Sequence, residues 1–124
     1  MFSAAANSLI HLELHTGDLA GAVAFYSELF GWRGERIQAG AASYLALGMG
    51  SRVGGGVVQC PAVDQPLWLP YVAVPDIETA TRRAESLGGE VVLPPREGPE
   101  GWRGVVSTPD TGEVAFWQAK RRRR

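Results

Sequence analysis

The chain repeats itself. Asp18 and Leu19 return as Asp76 and Ile77, Ala22 as Ala80, Leu29 as Leu87 and Gly31 as Gly89, all at one offset of 58 residues. Turn, helix cap, helix face and helix stop recur together. A repeat of this size means two copies of one supersecondary unit. Each copy is too small to bury its own sheet, so the two are expected to pack as a pair.

The local patterns spell out the unit. Over residues 9–15 apolar Ile10, Leu12 and Leu14 alternate with His11, Glu13 and His15, the mark of a strand with one buried face. Asp18 follows a turn and is placed to cap a helix over 19–30, whose apolar positions are Leu19, Ala22, Val23, Tyr26, Leu29 and Phe30. Gly31 stands where a left-handed residue ends a helix. Strands are expected at 32–38, 43–47 and 53–59, the last containing Gly54-Gly55-Gly56, which permits a bulge or a close backbone approach. Residues 60–66 form a proline-punctuated linker. The second copy has a strand at 69–74, a helix at 77–87 ending in Gly88-Gly89, and strands at 90–93, 101–107 and 113–118. Residues 94–100 are expected to be a loop, and 108–112 a tight turn. The fold class is therefore α+β: two tandem βαβββ modules forming a curled mixed sheet around a cleft. One domain spans 1–124, with modules at about 8–60 and 67–119 and a basic tail at 120–124.

Composition narrows the function. Of 124 residues, 45% are hydrophobic and 20% charged, which suits one globular domain with a real core. Net charge is -1, so the whole protein offers no electrostatic case for nucleic acid. Five of its twelve basic residues are the terminal Lys120–Arg124 run; without them seven face thirteen acidic ones, leaving a body near -6. Such a tail can bind phosphate or membrane surfaces, although a solvated chain end is the plainer reading. Cys60 is the only cysteine, which excludes an internal disulfide and fits a reducing cytoplasm. No signal peptide and no apolar run long enough to span a bilayer is expected.

At this point the sequence resembles the glyoxalase/bleomycin-resistance/extradiol-dioxygenase (vicinal oxygen chelate) superfamily. The resemblance is carried by His11-Leu12-Glu13-Leu14, Asp18-Leu19 and Phe25-Tyr26-Ser27-Glu28-Leu29-Phe30-Gly31-Trp32. The second half adds Val72-Ala73-Val74-Pro75-Asp76-Ile77, Gly88-Gly89-Glu90, Pro109-Asp110-Thr111-Gly112 and Phe116-Trp117-Gln118. It covers roughly residues 8–119 and is most similar to a bacterial, glyoxalase-like subgroup without an assigned reaction. It implies a small organic ligand and a homodimer. Metal-dependent members bind their ion through the first and last strand of each module. The first ligand position matches His11; its repeat is Leu69, the last-strand position falls on or near Phe116, and 53–59 holds no His, Asp or Glu. The metal set is reduced to His11, so no cofactor is expected. A metal-dependent lyase, isomerase or dioxygenase using His11 is the alternative.

Two sets of residues are candidates for chemistry. His11, Glu13 and His15 share one strand face, and a carboxylate flanked by imidazoles in an apolar groove can move protons near neutral pH. Glu13 as base with His11 as partner could enolise a small carbonyl compound. His15, Tyr71, Phe116, Gln118 and Arg103 are the expected ligand-binding residues, with Tyr71 and Phe116 as apolar wall and Arg103 for a carboxylate or phosphate. Parity along each strand puts Tyr71 with Leu69, and Phe116 with Val114 and Gln118, on the cleft side. Trp117 is expected under a helix. Phe25, Tyr26 and Phe30 are expected between helix and sheet, and residues 94–102 are a candidate lid.

Overall fold

In a computed structural model, residues 6–39, 42–50, 52–60, 66–110 and 112–120 are described, those of 36–39 and 42–44 by main chain only. The described residues hold eight strands and two helices in the order β1 (Leu9–Thr16), α1 (Leu19–Phe30), β2 (Arg33–Ala39), β3 (Ala42–Gly48), β4 (Gly54–Gln59), β5 (Leu67–Ala73), α2 (Ile77–Ser86), β6 (Glu90–Glu97), β7 (Gly101–Ser107) and β8 (Glu113–Ala119). This is the βαβββ pattern twice over, in an α+β architecture. Residues 61–65, most of the expected linker, and 121–124, most of the basic tail, lie outside the described residues. Contacts divide the chain into two units, His11–Leu69 and a second made of the residues up to Ile10 with those from Pro70 onward.

In the first unit the strands run β2-β3-β4-β1. β1 and β4 are parallel, while β2–β3 and β3–β4 are antiparallel. The alternation in β1 sets the faces. Leu14 (3% exposed) packs with Val57 and Leu47, and these meet Leu19, Ala22, Val23 and Tyr26 of α1. Leu14 pairs in register with Val57, and Glu13 with Gly56, so His11, Glu13 and His15 lie on the face turned away from the helix. Trp32 and Trp68 close one end of this core, with their ring centroids 5.6 and 5.5 Å from that of Tyr26. Phe25 and Phe30 depart from expectation: they are 59% and 57% exposed, and only Tyr26 of the three reaches the core. Nearly every residue of α1 is apolar, so its sequence has no polar stripe from which to infer the outer face.

The second unit repeats the topology as β5-β8-β7-β6, with β5–β8 parallel and the other pairs antiparallel. Its core includes Tyr71, Val74, Ile77, Val105, Val106 and Ala115. Helix α2 buries Ile77 and Thr81, and the Thr81 hydroxyl donates to the Ile77 carbonyl at 2.7 Å. Asp76 caps it by accepting from the amides of Glu78 and Thr79 at 3.1 and 3.3 Å. These bonds, that from Thr79 above all, hold its carboxyl below the usual carboxylate range. The left-handed residue ending this helix is Gly88 (φ 98°), one position before the repeat predicts, and Leu87 is left 65% exposed.

The expected lid is mostly strand. Pro94–Glu97 belongs to β6, Gly101 and Trp102 to β7, and a short turn joins them, with the Gly98 amide donating to the Gly101 carbonyl at 2.7 Å. Register shifts on either side of Leu93 admit the two prolines, on the outermost strand of this unit, where missing amide donors cost least.

Candidate functional site

The site begins with three polar side chains on β1. His15 Nε2 is 2.8 Å from Glu13 Oε1, and His11 Nε2 is 3.5 Å from Glu13 Oε2. A carboxylate only accepts, so in the closer pair the His15 imidazole is the donor. The strand period makes this cluster possible: residues two apart lie on one face, about 6–7 Å along the chain, within reach of side chains leaning together. Glu13 is 16% exposed, His15 19% and His11 26%. The carboxylate is therefore largely withdrawn from water while both its oxygens face imidazole nitrogens.

The neighbouring strand explains how His11 fits. His11 pairs with Gly54 and Glu13 with Gly56. A Cβ built on Gly56 would lie 3.4 Å from His11 Nε2, so the ring rests on bare backbone. At Gly55 an added Cβ would lie only 2.7 Å from the Leu47 carbonyl oxygen, so the triple glycine is a close-approach site there, one of the two uses its sequence allowed.

The other expected site residues lie in the second unit, where the register corrects their grouping. Tyr71 pairs with Ala115, Val72 with Phe116 and Ala73 with Trp117. Paired residues of neighbouring strands share a face. Phe116 and Gln118 therefore lie on the face opposite Tyr71, and Trp117 takes the place expected of Phe116. Gln118 instead caps a helix, its Oε1 accepting from the Ile77 amide at 2.7 Å in the first turn of α2. Gln59 does the same for Leu19 at 2.9 Å at the start of α1, and its amide nitrogen also donates to the Gly17 carbonyl. Neither role was visible from spacing. Arg103 does meet Tyr71: Nε donates to the phenol oxygen at 2.7 Å, with the guanidinium carbon 5.7 Å from the ring centroid. Register places Trp117 opposite Arg103 on β8.

The donor set does not suit a metal. On β4 the residues paired with His11, Glu13 and His15 are Gly54, Gly56 and Val58. On β8 the residues sharing Tyr71's face include Ala115 and Trp117. Leu69, which repeats His11, is apolar and 1% exposed. None of these can coordinate an ion through its side chain. Among the described residues, no group of three or more His, Cys, Asp or Glu is arranged to hold one. The residues present therefore do not fit the oxygen/nitrogen site of the metal-dependent members.

A pocket of about 360 Å³ opens on the helix side of the first unit, lined by Leu14, Thr16, Phe25, Tyr26, Pro66 and Trp68 among others. It is aromatic and is lined by none of the expected site residues; those of β1 lie on the strand's other face.

Comparison with known proteins agrees with this architecture. Residues 10–117 match the family model of the glyoxalase-like domain. The provisionally named glyoxylase CFP32 of Mycobacterium tuberculosis is 29% identical over 117 residues, covering 89% of this chain and 45% of that protein. The chain thus spans less than half the length of that relative. Methylmalonyl-CoA epimerase from Mycobacterium tuberculosis superposes with a TM-score of 0.63 at 16% identity, covering 98% of this chain and 94% of that one. A glyoxalase/bleomycin resistance protein/dioxygenase superfamily member from Vibrio splendidus 12B01 gives 0.62 at 17%, covering 90% and 98%. At these identities the likeness to the solved structures is one of fold.

Proposed function

Because this chain belongs to the glyoxalase-like domain family, we propose that it forms a single small-molecule-binding domain whose ligand meets the β1 face bearing His11, Glu13 and His15, without a full metal site. The observation that carries this reading is the Glu13 carboxylate, largely out of water and within 2.8 and 3.5 Å of two imidazole nitrogens. A carboxylate so held can take a proton from a carbon acid and return it, while the imidazoles orient it and supply protons to a developing oxyanion. The matching ligand is a small carbonyl compound. Fold alone does not choose a reaction, so the proposal rests on these side chains.

The test is a thermal-shift screen of small carbonyl compounds, followed by titration of each hit against Glu13→Gln and His15→Ala. Glu13→Gln keeps the shape and an acceptor oxygen while removing the charge. We expect affinities to fall roughly tenfold, the range for hydrogen bonds to charged groups. Hits that bind both variants as tightly as the parent would place the ligand elsewhere.

The same reading takes the exposed Phe25, Leu29 and Phe30 of α1 as the contact for a second copy of the chain. Large apolar side chains left exposed near one another are a common signature of association.

A further inference from the structure

The face of the second unit that carries Tyr71 has a chemistry of its own. Register aligns Arg96 on β6, Arg103 on β7, Trp117 on β8 and Ala73 on β5 in one row. The adjoining row is Leu93, Val105, Ala115 and Tyr71. Two arginines thus stand directly opposite each other on neighbouring strands, where like charges destabilise a sheet. Among the described residues, no carboxylate lies within ion-pair distance of either one. Glu97, next in sequence to Arg96, pairs instead with Lys120 at 2.9 Å. This is the arrangement in a chain whose body is acidic overall.

Arg103 is also held in place. Tyr71 is 7% exposed, and its phenol oxygen accepts from Arg103 Nε at 2.7 Å. With Nε committed, the two terminal nitrogens remain as a fork. A planar fork matches the two oxygens of a carboxylate. The surroundings are apolar and aromatic: Trp117, Val105, Ala115 and the Tyr71 ring. No helix start or glycine loop among these rows supplies the extra amide donors that a phosphate would call for.

We propose that this face binds a small organic carboxylate. The terminal nitrogens of Arg103 take its two oxygens, Arg96 adds a second positive charge, and Trp117 flanks the ligand's apolar body. Tyr71 is a positioning residue, acting through the guanidinium. The proposal stands on the second unit alone, so its failure leaves the reading of His11, Glu13 and His15 untouched.

Isothermal titration of the full chain with benzoate, benzamide and inorganic phosphate tests it. Benzoate is expected to bind, and neutral benzamide to bind about tenfold more weakly or less, because it lacks the charge-assisted pair. Arg103→Ala should cost benzoate roughly tenfold or more. Arg103→Lys should recover only part of that, since a point charge does not replace the fork. Arg96→Ala and Tyr71→Phe should each weaken benzoate by a few fold, and Arg33→Ala, an exposed arginine outside these rows, should change nothing. Far-UV circular dichroism and melting temperature check that each variant folds. Four results would overturn the proposal: no benzoate binding, benzamide binding as well as benzoate, phosphate binding more tightly than benzoate, or a folded Arg103→Ala with unchanged benzoate affinity.

Discussion

The His11 ring lies over the backbone of Gly56. A methyl at position 56 would touch the His11 ring at ordinary contact distance, 3.4 Å from Nε2. A branched side chain would drive the ring away. Gly56→Ala should therefore keep the His11 environment, and Gly56→Val should shift the His11 ring signals in a proton–nitrogen correlation spectrum. Identical spectra for both variants would contradict the packing. The His11–Glu13–His15 row was legible in the sequence because it needs only the strand period, a property of one segment. The pairing of Tyr71 with Ala115 and not Phe116 was not legible. It depends on how β5 and β8 align, a contact between residues more than forty apart that no local pattern encodes. Arg103 was legible as a candidate, but its hydrogen bond to Tyr71 depends on the same long-range register.

Helix starts show how far local rules reach. Asp18 and Asp76 were readable as caps, and they cap. The glutamines that complete those caps come from the last strand of each module, 40 or 41 residues away in sequence. Gln118→Ala removes the acceptor of the Ile77 amide and should lower stability by about 1 kcal/mol in urea denaturation, leaving ligand affinity unchanged. Loss of affinity without loss of stability would return Gln118 to a ligand-binding role. Asp76 gives a pH signature. Its folded-state carboxyl lies below the ordinary value near 3.8, so its contribution is present above that pH and fades as pH falls through the lower, folded value. Asp76→Asn still caps but does not titrate there. Its melting temperature should fall less steeply than the parent's below pH 4, and parallel curves would refute the linkage. Pro94 and Pro95 suggested a loop because proline breaks most strands. The outermost strand of a unit, with shifted register, is where that rule relaxes.

The repeat at one offset predicted two copies of one unit, and both modules carry the same strand order and the same parallel and antiparallel pairs. The exposed face of α1 was less legible, because the helix has apolar residues on every side and its outer face cannot be told from its inner one in sequence. With Phe25, Leu29 and Phe30 exposed, the chain is expected to sediment as a dimer, and Leu29→Glu with Phe30→Glu to sediment as a monomer that keeps its fold. A parent that is monomeric at all concentrations would contradict this. The central claim is that His11, Glu13 and His15 serve an organic ligand and not an ion. Metal content by elemental mass spectrometry tests it most directly, on untagged protein as purified and after dialysis against zinc, manganese, nickel and iron(II). The account predicts far less than one ion per chain under every condition, with no change in His11→Ala. One ion per chain in the parent, lost in His11→Ala, would contradict it and turn the search to metal-dependent lyase, isomerase and dioxygenase reactions.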